Sequence, residues 1–396
     1  MDHPSPTPDA QPAEGSASRR SFLAATLAAG ALGASAQPAA SAEPPPLTLH
    51  TRLTRDYGLR LPFVGAGMGF IATPRLVAAV SNAGGLGVLG NAIEPPPGTL
   101  ALIQQIKLAT SRPFGVDFIV DDSAFGPATV DAHIDACIAE QVKLVVFHVN
   151  VPPRAWVERL HAAGARVWMQ AASVKQATDA VALGVDAIIA QGREAGGHNK
   201  STTPAPALLA QILRAVHPVM VLAAGGIADG AGVFRALAAG ADGVWVGTRL
   251  VASTEAYAHP EYKARLVAAG AGSTVTTTMF GPEYPDRAYR VLRNRVVNQF
   301  AGHEGDIPNP PPPPAVIGKT VLFPLTFRQP YEMPKFSVIV PTPDTVGDFE
   351  EMGLPAGDGV KLIHDIRPAA QIIESMMGDA KRLLEQAQAE AGPTRA

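Results

Sequence analysis

Through the middle of the chain, from residue 61 onward, short apolar runs alternate with amphipathic segments. Each run is rich in Val, Ile or aromatic residues and is continuously apolar instead of alternating with polar positions. Strands of a parallel sheet that is buried on both faces show this pattern. Eight runs are predicted strands: Leu61–Ala66, Leu86–Gly90, Phe114–Val120, Leu144–Val149, Val167–Ala171, Ala187–Gln191, Val219–Ala223 and Gly243–Gly247.

The segments between these runs predict helices, several of which are followed by glycine. Gly84, Gly164, Gly184 and Gly240 stand where a left-handed helix cap favours that residue. Eight strand-then-helix units in about 200 residues favour an α/β fold, a (β/α)8 or TIM barrel. An open doubly wound sheet is the alternative. The predicted helices include Pro74–Ala83, Ala128–Gln141, Arg154–Ala163, Val174–Leu183, Pro206–Val216 and Ala231–Ala239.

The ends of the chain differ in composition, and most of its 37 prolines lie outside the middle. The barrel is predicted to occupy residues 44–300, and residues 301–396 a proline-rich arm that packs on it. Pro308–Pro314 predicts an extended polyproline segment. The turn at Ala356–Val360 either reaches the functional pocket or caps a hydrophobic surface. Pro368–Glu390 predicts a closing amphipathic helix.

Residues 1–43 are predicted to be a leader that is disordered at its start and continues as an export signal. Arg19-Arg20 precedes an apolar run, Ala24–Ala34, that is shorter than the about 20 residues a membrane-spanning helix needs. Ala34-Ser35-Ala36 and Ala40-Ser41-Ala42 offer small-residue cleavage sites. This pattern predicts export to the periplasm by the twin-arginine (Tat) machinery, with no membrane span in the mature protein. The alternative is a chance arginine pair before an alanine-rich linker.

Composition narrows the partners further. Hydrophobic residues make up 47% of the chain and charged residues 17%, as in a well-buried globular protein. The net charge of −3 gives no electrostatic footprint for nucleic acid. The single cysteine, Cys137, excludes an intramolecular disulfide and a cysteine-based metal site, and no metal is predicted.

One glycine motif is a false lead. Gly85, Gly87 and Gly90 match the dinucleotide fingerprint G-x-G-x-x-G, which requires a strand before the motif and a helix directly after it. Here the glycines run into the second predicted strand. Pro95-Pro96-Pro97 is moreover expected to prevent a helix from starting close behind, so the motif is rejected.

Two glycine-containing loops follow the seventh and eighth predicted strands. Gly225-Gly226 and Gly247-Thr248 stand where the backbone of a (β/α)8 barrel recurrently binds phosphate. Glycine lets N–H groups approach the phosphate closely, and a following helix N-terminus adds a favourable dipole. Thr248 adds a hydroxyl and Arg249 is expected to add charge. The alternative is that the glycines only form tight turns, with Asp229 as a helix cap.

The sixth predicted strand leads to the candidate reactive residue. His198 follows Gly196-Gly197, which permit close approach to a planar ring, and Gln191 ends the strand. Histidine suits proton abstraction because its ordinary pKa lies between pH 5 and 8.

Three further polar residues end predicted strands. Asp117 and Gln170 are placed to bond the edge of a polar heterocycle. His148 is either a second candidate base or a structural histidine beneath the site.

Over about residues 50–300 these motifs together resemble the nitronate monooxygenase family, formerly called 2-nitropropane dioxygenases, which are FMN-dependent (β/α)8 enzymes. The same superfamily contains NADH:quinone reductases and a flavin-dependent enoyl-acyl-carrier-protein reductase. The motifs are Gly65–Gly69, Ala83–Gly87, Phe147-His148, Gln191–His198, Ala224–Gly230 and Val246–Arg249.

The resemblance implies a role for each candidate residue. Ala66, Gly67 and Met68 would lie along the flavin ring, with Gly196 and Gly197 close by. Gln170 and Gln191 would contact the ring or the ribityl chain. Gly225-Gly226 and Gly247-Thr248 would hold the phosphate, and His198 would be the catalytic base. Asp117 stands where the family more often carries Asn.

The implied reaction is oxidation of an alkyl nitronate, or a related small anion, to a carbonyl compound and nitrite with consumption of O2. An NAD(P)H-dependent reductase of quinones or enoyl thioesters is the alternative on the same fold. A non-catalytic periplasmic binding protein is disfavoured, because His198 and the flavin-facing glycines would have no purpose in it.

Overall fold

The computed structural model describes residues 48–391, and in it eight parallel strands close into a barrel. Val64 in the first strand pairs with Leu86 in the second and with Trp245 in the eighth, so the sheet has no free edge. The predicted barrel is confirmed, and the open sheet is excluded. The barrel strands are β1 (Phe63–Gly65), β2 (Leu86–Gly90), β3 (Phe114–Ile119), β4 (Leu144–His148), β5 (Arg166–Ala171), β6 (Ala187–Gln191), β7 (Met220–Ala224) and β8 (Gly243–Val246).

Helices follow the strands, with ends within a few residues of those predicted. All four predicted cap glycines have positive φ, for example +93° at Gly84 and +94° at Gly240, which an L side chain rarely adopts. The helices are α1 (Arg52–Tyr57), α2 (Pro74–Asn82), α3 (Pro96–Ala109), α4 (Asp131–Ala139), α5 (Arg154–Ala162), α6 (Val174–Ala182), α7 (Ala205–Val216), α8 (Gly230–Ala238), α9 (Thr248–Val251), α10 (Pro260–Ala268), α11 (Arg295–Phe300) and α12 (Ala369–Ala391).

The start of α3 corrects one prediction. The helix begins at Pro96, inside the proline run that is expected from the sequence to prevent it. Proline is tolerated in the first turn because the N–H groups there have no partner within the helix. The dinucleotide motif still does not form a phosphate loop, since Gly87 and Gly90 lie within β2.

Two layers of core explain why the strands are continuously apolar. Inward-facing residues such as Val64, Val146 and Trp168 fill the barrel, and outward-facing ones such as Phe147 pack beneath the helices. The Trp168 indole donates a hydrogen bond to the Tyr57 hydroxyl of α1 at 2.6 Å. The amino end of the barrel is therefore filled, and the carboxyl end is left for a site.

The region after α11 forms an arm that contains strands as well as extended chain. Val316–Leu322 and Gln329–Pro334 pair as an antiparallel hairpin, and Val346–Gly347 adds a short third strand. The arm ends in α12, which packs closely on α8: a Cβ added at Gly230 would lie 2.3 Å from the Asp379 Cβ.

The predicted leader, residues 1–43, lies outside the described residues, so the twin-arginine signal and the periplasmic location stay predictions. Within residues 48–391, no helix is both long enough and apolar enough to cross a bilayer. In the same range, no group of three or more His, Cys, Asp or Glu side chains could hold a metal ion.

Candidate active site

A cavity opens at the carboxyl ends of the strands, where barrel enzymes place their chemistry. The space open to the centres of water molecules is about 240 Å³, whereas one water needs only about 10–15 Å³. All fourteen candidate residues line this cavity, although they come from seven different loops and strand ends: Ala66, Gly67, Met68, Asp117, His148, Gln170, Gln191, Gly196, Gly197, His198, Gly225, Gly226, Gly247 and Thr248.

The glycine loop after β7 has a backbone that requires glycine. Gly225 and Gly226 have φ of +107° and +72° and lie just before α8. The Asp229 carboxylate caps α8 by accepting from the Gly232 N–H at 2.7 Å. Asp229 therefore caps the helix as the tight-turn interpretation expects, while Gly225 and Gly226 line the cavity as the phosphate interpretation expects. The two interpretations are compatible.

Arg249 does not add charge to this loop region, contrary to expectation. Its side chain is buried and forms an ion pair with Asp365 at 2.5 Å. The residue follows Gly247-Thr248 by one position within α9, and a helix turns successive side chains in different directions. Thr248 faces the cavity, whereas Arg249 does not.

The C-terminal arm supplies a third loop to the same end of the cavity. The Gly357 N–H donates to the Thr248 hydroxyl oxygen at 3.0 Å, and the Asp358 N–H donates to the Glu194 carbonyl at 2.9 Å. A Cβ at Gly359 would lie 2.8 Å from the Gly226 carbonyl oxygen. The turn predicted at Ala356–Val360 therefore reaches the pocket, and its glycines allow the contact.

Ion pairing and hydrogen bonding hold this turn in place. The Asp358 carboxylate accepts from the Arg290 guanidinium at 2.9 Å and from the Thr274 hydroxyl at 2.5 Å. Arg290 also donates to the Arg193 carbonyl at 3.0 Å, in the loop that leads to His198. The arm, the strand Tyr289–Leu292 and that loop are thus tied together.

Gly196 and Gly197 have different surroundings, so glycine is needed at each for a different reason. A Cβ at Gly196 would lie 2.5 Å from the Ala356 carbonyl carbon and the Gly357 nitrogen, so this position is bare because the arm backbone passes there. Gly197 has φ of +78°, and a Cβ added to it would meet no atom within 4 Å, so it faces open space. Close approach to a planar ring stays a prediction for both.

Asp117, which is buried, and His148, which is partly buried, form a pair near the carboxyl ends of β3 and β4. The Asp117 Oδ1 and His148 Nδ1 atoms are 2.9 Å apart. Burial raises the pKa of the Asp117 carboxyl against the opposing effect of His148. Burial lowers the pKa of His148, but the charge and hydrogen bond of Asp117 outweigh it and leave that pKa raised. The pair therefore holds a proton more tightly than an isolated histidine does.

His198 is neutral and lacks a partner at one ring nitrogen. Burial, with a contribution from the charge of His148, lowers the pKa of His198 to about 3. Its ring stacks on Tyr289 with centroids 4.4 Å apart and meets the edge of Tyr284 at 4.8 Å. The buried Nδ1 atom has no hydrogen-bond partner among the described residues. An orphaned buried nitrogen in a cavity wall is suited to bind or deprotonate a ligand.

Sequence reasoning missed the residues that surround His198. Tyr284 donates to the Asp121 carboxylate at 2.7 Å, and Arg287 bonds the same carboxylate at 2.8 Å. Tyr289 lies beside His198 because the strand Tyr289–Leu292 pairs with Gly197-His198. These contacts join segments more than 80 residues apart by number, and no local motif marks them.

The sequence profile of nitronate monooxygenase matches residues 50–379. This chain belongs to the nitronate monooxygenase family. The resemblance drawn from the motifs is thereby confirmed, and the protein is an oxidoreductase.

Similar proteins include enzymes with different named activities. The (3aS,4S,5R,7aS)-5-hydroxy-7a-methyl-1-oxo-octahydro-1H-indene-4-carboxyl-CoA dehydrogenase of Mycobacterium tuberculosis is 36% identical over 64% of this chain and 69% of that protein. FabK from Thermotoga maritima is 31% identical, with a TM-score of 0.72 over 87% of this chain and 100% of that one. The nitroalkane oxidase of Streptomyces ansochromogenes is 27% identical, with a TM-score of 0.68 over 85% and 99%.

Proposed function

We propose that this protein binds FMN in the cavity and oxidises alkyl nitronates, and nitroalkanes after deprotonation, to a carbonyl compound and nitrite with O2. The proposal rests on His198, whose neutral imidazole lies in the wall of the cavity. Its Nδ1 atom has no hydrogen-bond partner among residues 48–391. Membership of the nitronate monooxygenase family supports the same reaction.

The residues that line the cavity fit FMN. Positive-φ glycines at 225 and 226, together with Gly247-Thr248, form loops whose backbone can approach a single phosphate group. Gln170 and Gln191 carry amide groups that can bond the polar edges of the flavin or its ribityl chain. When bound, FMN supplies the electron chemistry, and the protein supplies orientation and a cavity.

His198 would act before oxidation by accepting the α-proton of a neutral nitroalkane. Burial keeps the imidazole unprotonated, and the negative charge that develops on the nitronate would raise its proton affinity during the transfer. His148, which lines the cavity and whose pKa is raised by the neighbouring Asp117 carboxylate, would donate a hydrogen bond to the nitronate oxygens.

A second function is favoured by the comparisons. FabK of Thermotoga maritima is more similar to this chain than the nitroalkane oxidase is, with 31% against 27% identity, and the Mycobacterium tuberculosis relative is named for a CoA thioester. Nicotinamide can dock on a flavin without a fingerprint motif. An NAD(P)H-dependent reductase of quinones or enoyl thioesters is therefore the alternative that the experiment must separate.

The deciding experiment is anaerobic mixing of the purified, flavin-loaded protein with a nitronate, NADH or NADPH. We expect released cofactor to be FMN at about one per chain, and the flavin absorbance to bleach with the nitronate and not with either nicotinamide. The reason is that the proposed reaction takes its electrons from the nitronate and needs no nicotinamide. Bleaching by NADH or NADPH alone would support the reductase instead, and released flavin adenine dinucleotide would contradict the FMN assignment.

We also propose export by the twin-arginine route, for which Arg19-Arg20 and the following apolar run are the support. Replacing both arginines with lysine is expected to leave the full-length precursor in the cytoplasm. Lysine keeps the charge but not the planar guanidinium group. Cell fractionation and immunoblotting measure the outcome, with Arg55→Lys as a control outside the signal. Unchanged export of the double variant would contradict the signal.

A further inference from the structure

A buried carboxylate lies in the wall of the cavity near the end of β3. The Asp117 side chain faces the cavity, and a Cβ added at Gly67 would lie 2.3 Å from the Asp117 Cβ. Glycine at position 67 therefore makes room for this carboxyl group. Asp117 is 2% exposed, and a carboxylate so far from water needs a partner. Among the side chains of residues 48–391, its hydrogen-bond partner is His148 alone.

His148 links this carboxylate to the open space of the cavity. Its Nδ1 atom lies 2.9 Å from Asp117 Oδ1, and the two nitrogens of an imidazole ring point away from each other. The Nε2 atom has no hydrogen-bond partner within the described part of the chain. The side chain is 18% exposed and lines the cavity. Nε2 is therefore available to a ligand.

The pair presents a hydrogen to the cavity only while it holds a second proton. With one proton, Nδ1 donates to the carboxylate and Nε2 is left with a lone pair. A second proton places a hydrogen on Nε2, whether the pair is then a carboxylate with an imidazolium or a carboxyl group with a neutral imidazole. The pair has no net charge in this form, and one negative charge without the second proton. An anion is therefore bound by the first form and repelled by the other.

The other titratable groups that line the cavity are neutral or already bonded to the protein. His198 is neutral because burial lowers its pKa to about 3. Burial raises the pKa of Tyr262 and of Tyr289, so both hydroxyls keep their hydrogens. The Glu283 carboxylate accepts three hydrogen bonds from the arm. None of these groups bonds the pair.

The groups that face the pair from an adjoining recess have partners of their own as well. Tyr284 donates to the Asp121 carboxylate at 2.7 Å, and burial raises the pKa of its hydroxyl. Arg287 forms an ion pair with the same carboxylate at 2.8 Å. Lys200 donates to Asn150 Oδ1 at 3.0 Å, and partial burial lowers its pKa. The pair is thus left to respond to an anion by itself.

We propose that Asp117 is a positioning residue that keeps a hydrogen on His148 Nε2, so that the pair binds the planar, anionic head of the substrate and of the product. The inference rests on the proposed function, in which a nitronate enters the cavity and nitrite leaves it. It goes beyond that function because one buried carboxylate decides when the cavity accepts either anion. Both anions are expected to be held at low pH and released as the pH rises.

The first test is titration of the FMN-loaded protein with nitrate, an unreactive planar anion, between pH 5.5 and 9 while the flavin absorbance spectrum is recorded. Burial alone would lower the pKa of His148, but Asp117 leaves it raised. Nitrate is therefore expected to bind tightly below the ordinary histidine value of about 6.5, and to be lost only at higher pH, as the pair gives up its second proton. A dissociation constant that is the same at every pH would overturn the proposal.

The second test changes the charge of the carboxylate and keeps its shape. Asp117→Asn is expected to weaken nitrate binding at pH 6.5 by about 10- to 10²-fold, the contribution of a hydrogen bond to a charged group, and to move the loss of binding to lower pH. Asp179→Asn, on the exposed face of α6, and Lys200→Gln, at the recess, are controls that should leave the pH of half-maximal binding unchanged. Unaltered binding by Asp117→Asn, or the same shift in the controls, would overturn the proposal.

A double variant tests whether Asp117 acts through His148 and not on the fold. His148→Gln alone is expected to weaken nitrate binding and to abolish its pH dependence. Adding Asp117→Asn should then cause no further loss, because the carboxylate acts only through the imidazole. A further loss of about ten-fold or more in the double variant would overturn the positioning role.

Nitrate binding requires no turnover, so the inference and the proposed function can fail separately. Binding that depends on pH and on Asp117 as described, in a protein that does not oxidise nitronates, would support the anion site and overturn only the proposed function. Oxidation of nitronates, together with nitrate binding that is insensitive to pH and to Asp117→Asn, would overturn the inference and leave the proposed function standing.

Discussion

Replacing His198 with alanine is expected to remove most turnover of neutral nitroalkanes and to spare much of the turnover of preformed nitronates. Only the neutral substrate needs its α-proton removed by the enzyme. A positioned general base typically contributes about 10²- to 10⁴-fold, or roughly 3–5 kcal/mol of barrier. The measurement is kcat/KM with both forms of one substrate, each mixed fresh. Flavin content should not change, because Gly225, Gly226 and Thr248 would still hold the phosphate.

The pH dependence gives an independent check of the same residue. The pKa of His198 lies at about 3, below the ordinary value for histidine, so the imidazole is already deprotonated at pH 5 and gains nothing as the pH rises to 8. The neutral nitroalkane should therefore show no acid limb from His198 in that range. His198→Asn, a polar variant, controls for loss of packing against Tyr289. Equal loss with both substrate forms would make His198 a binding residue and His148 the next candidate base.

Replacing Gly357 with valine is expected to weaken FMN binding by about 10²-fold or more while the barrel stays folded. A Cβ at this position would lie 2.5 Å from the Glu194 carbonyl oxygen and 2.9 Å from the Gly196 nitrogen. Both are backbone atoms, so the arm turn must leave its place. The Gly357 N–H holds the Thr248 hydroxyl in place, so displacement of the turn would cost the hydrogen bond from Thr248 to a charged phosphate, which contributes about 1.5–3 kcal/mol.

The dissociation constant is measured by quenching of flavin fluorescence, and folding is monitored by thermal unfolding followed by circular dichroism. Gly270→Val is the matched control, because a Cβ there meets no atom within 4 Å and the backbone has no positive φ. If Gly357→Val binds FMN as tightly as the unaltered protein, the turn only covers the barrel and takes no part in holding the cofactor.

The barrel can be predicted from the chain because its signals are local. A strand buried on both faces must be apolar at every position, and β7 shows this within five residues. The loops at Gly225-Gly226 and at His198 can be located for the same reason, since a barrel brings all carboxyl strand ends to one rim. The start of α3 at Pro96 escapes prediction because the first turn of a helix does not need the N–H that proline lacks.

The remaining parts of the site depend on contacts that no local pattern encodes. Tyr289 reaches His198 only because a strand from beyond the barrel pairs with Gly197-His198. Glu283 receives bonds from the arm some 50 residues later in the sequence, and its neighbours give no sign of this. The sequence predicts extended chain where the arm forms a hairpin, since Pro330 and Pro334 within Gln329–Pro334 obscure the strand pattern.

The position of the arm turn in the sequence determines when this wall of the cavity can form during synthesis. Translation completes the eighth barrel strand at Val246, but the turn that carries Gly357 and Gly359 emerges about a hundred residues later. A nascent chain can therefore close its barrel while one wall of the cavity is still being synthesised. Cofactor that enters early would meet two glycine loops and an open side. On the proposed role of the turn, firm retention of FMN would require that nearly the whole chain has left the ribosome.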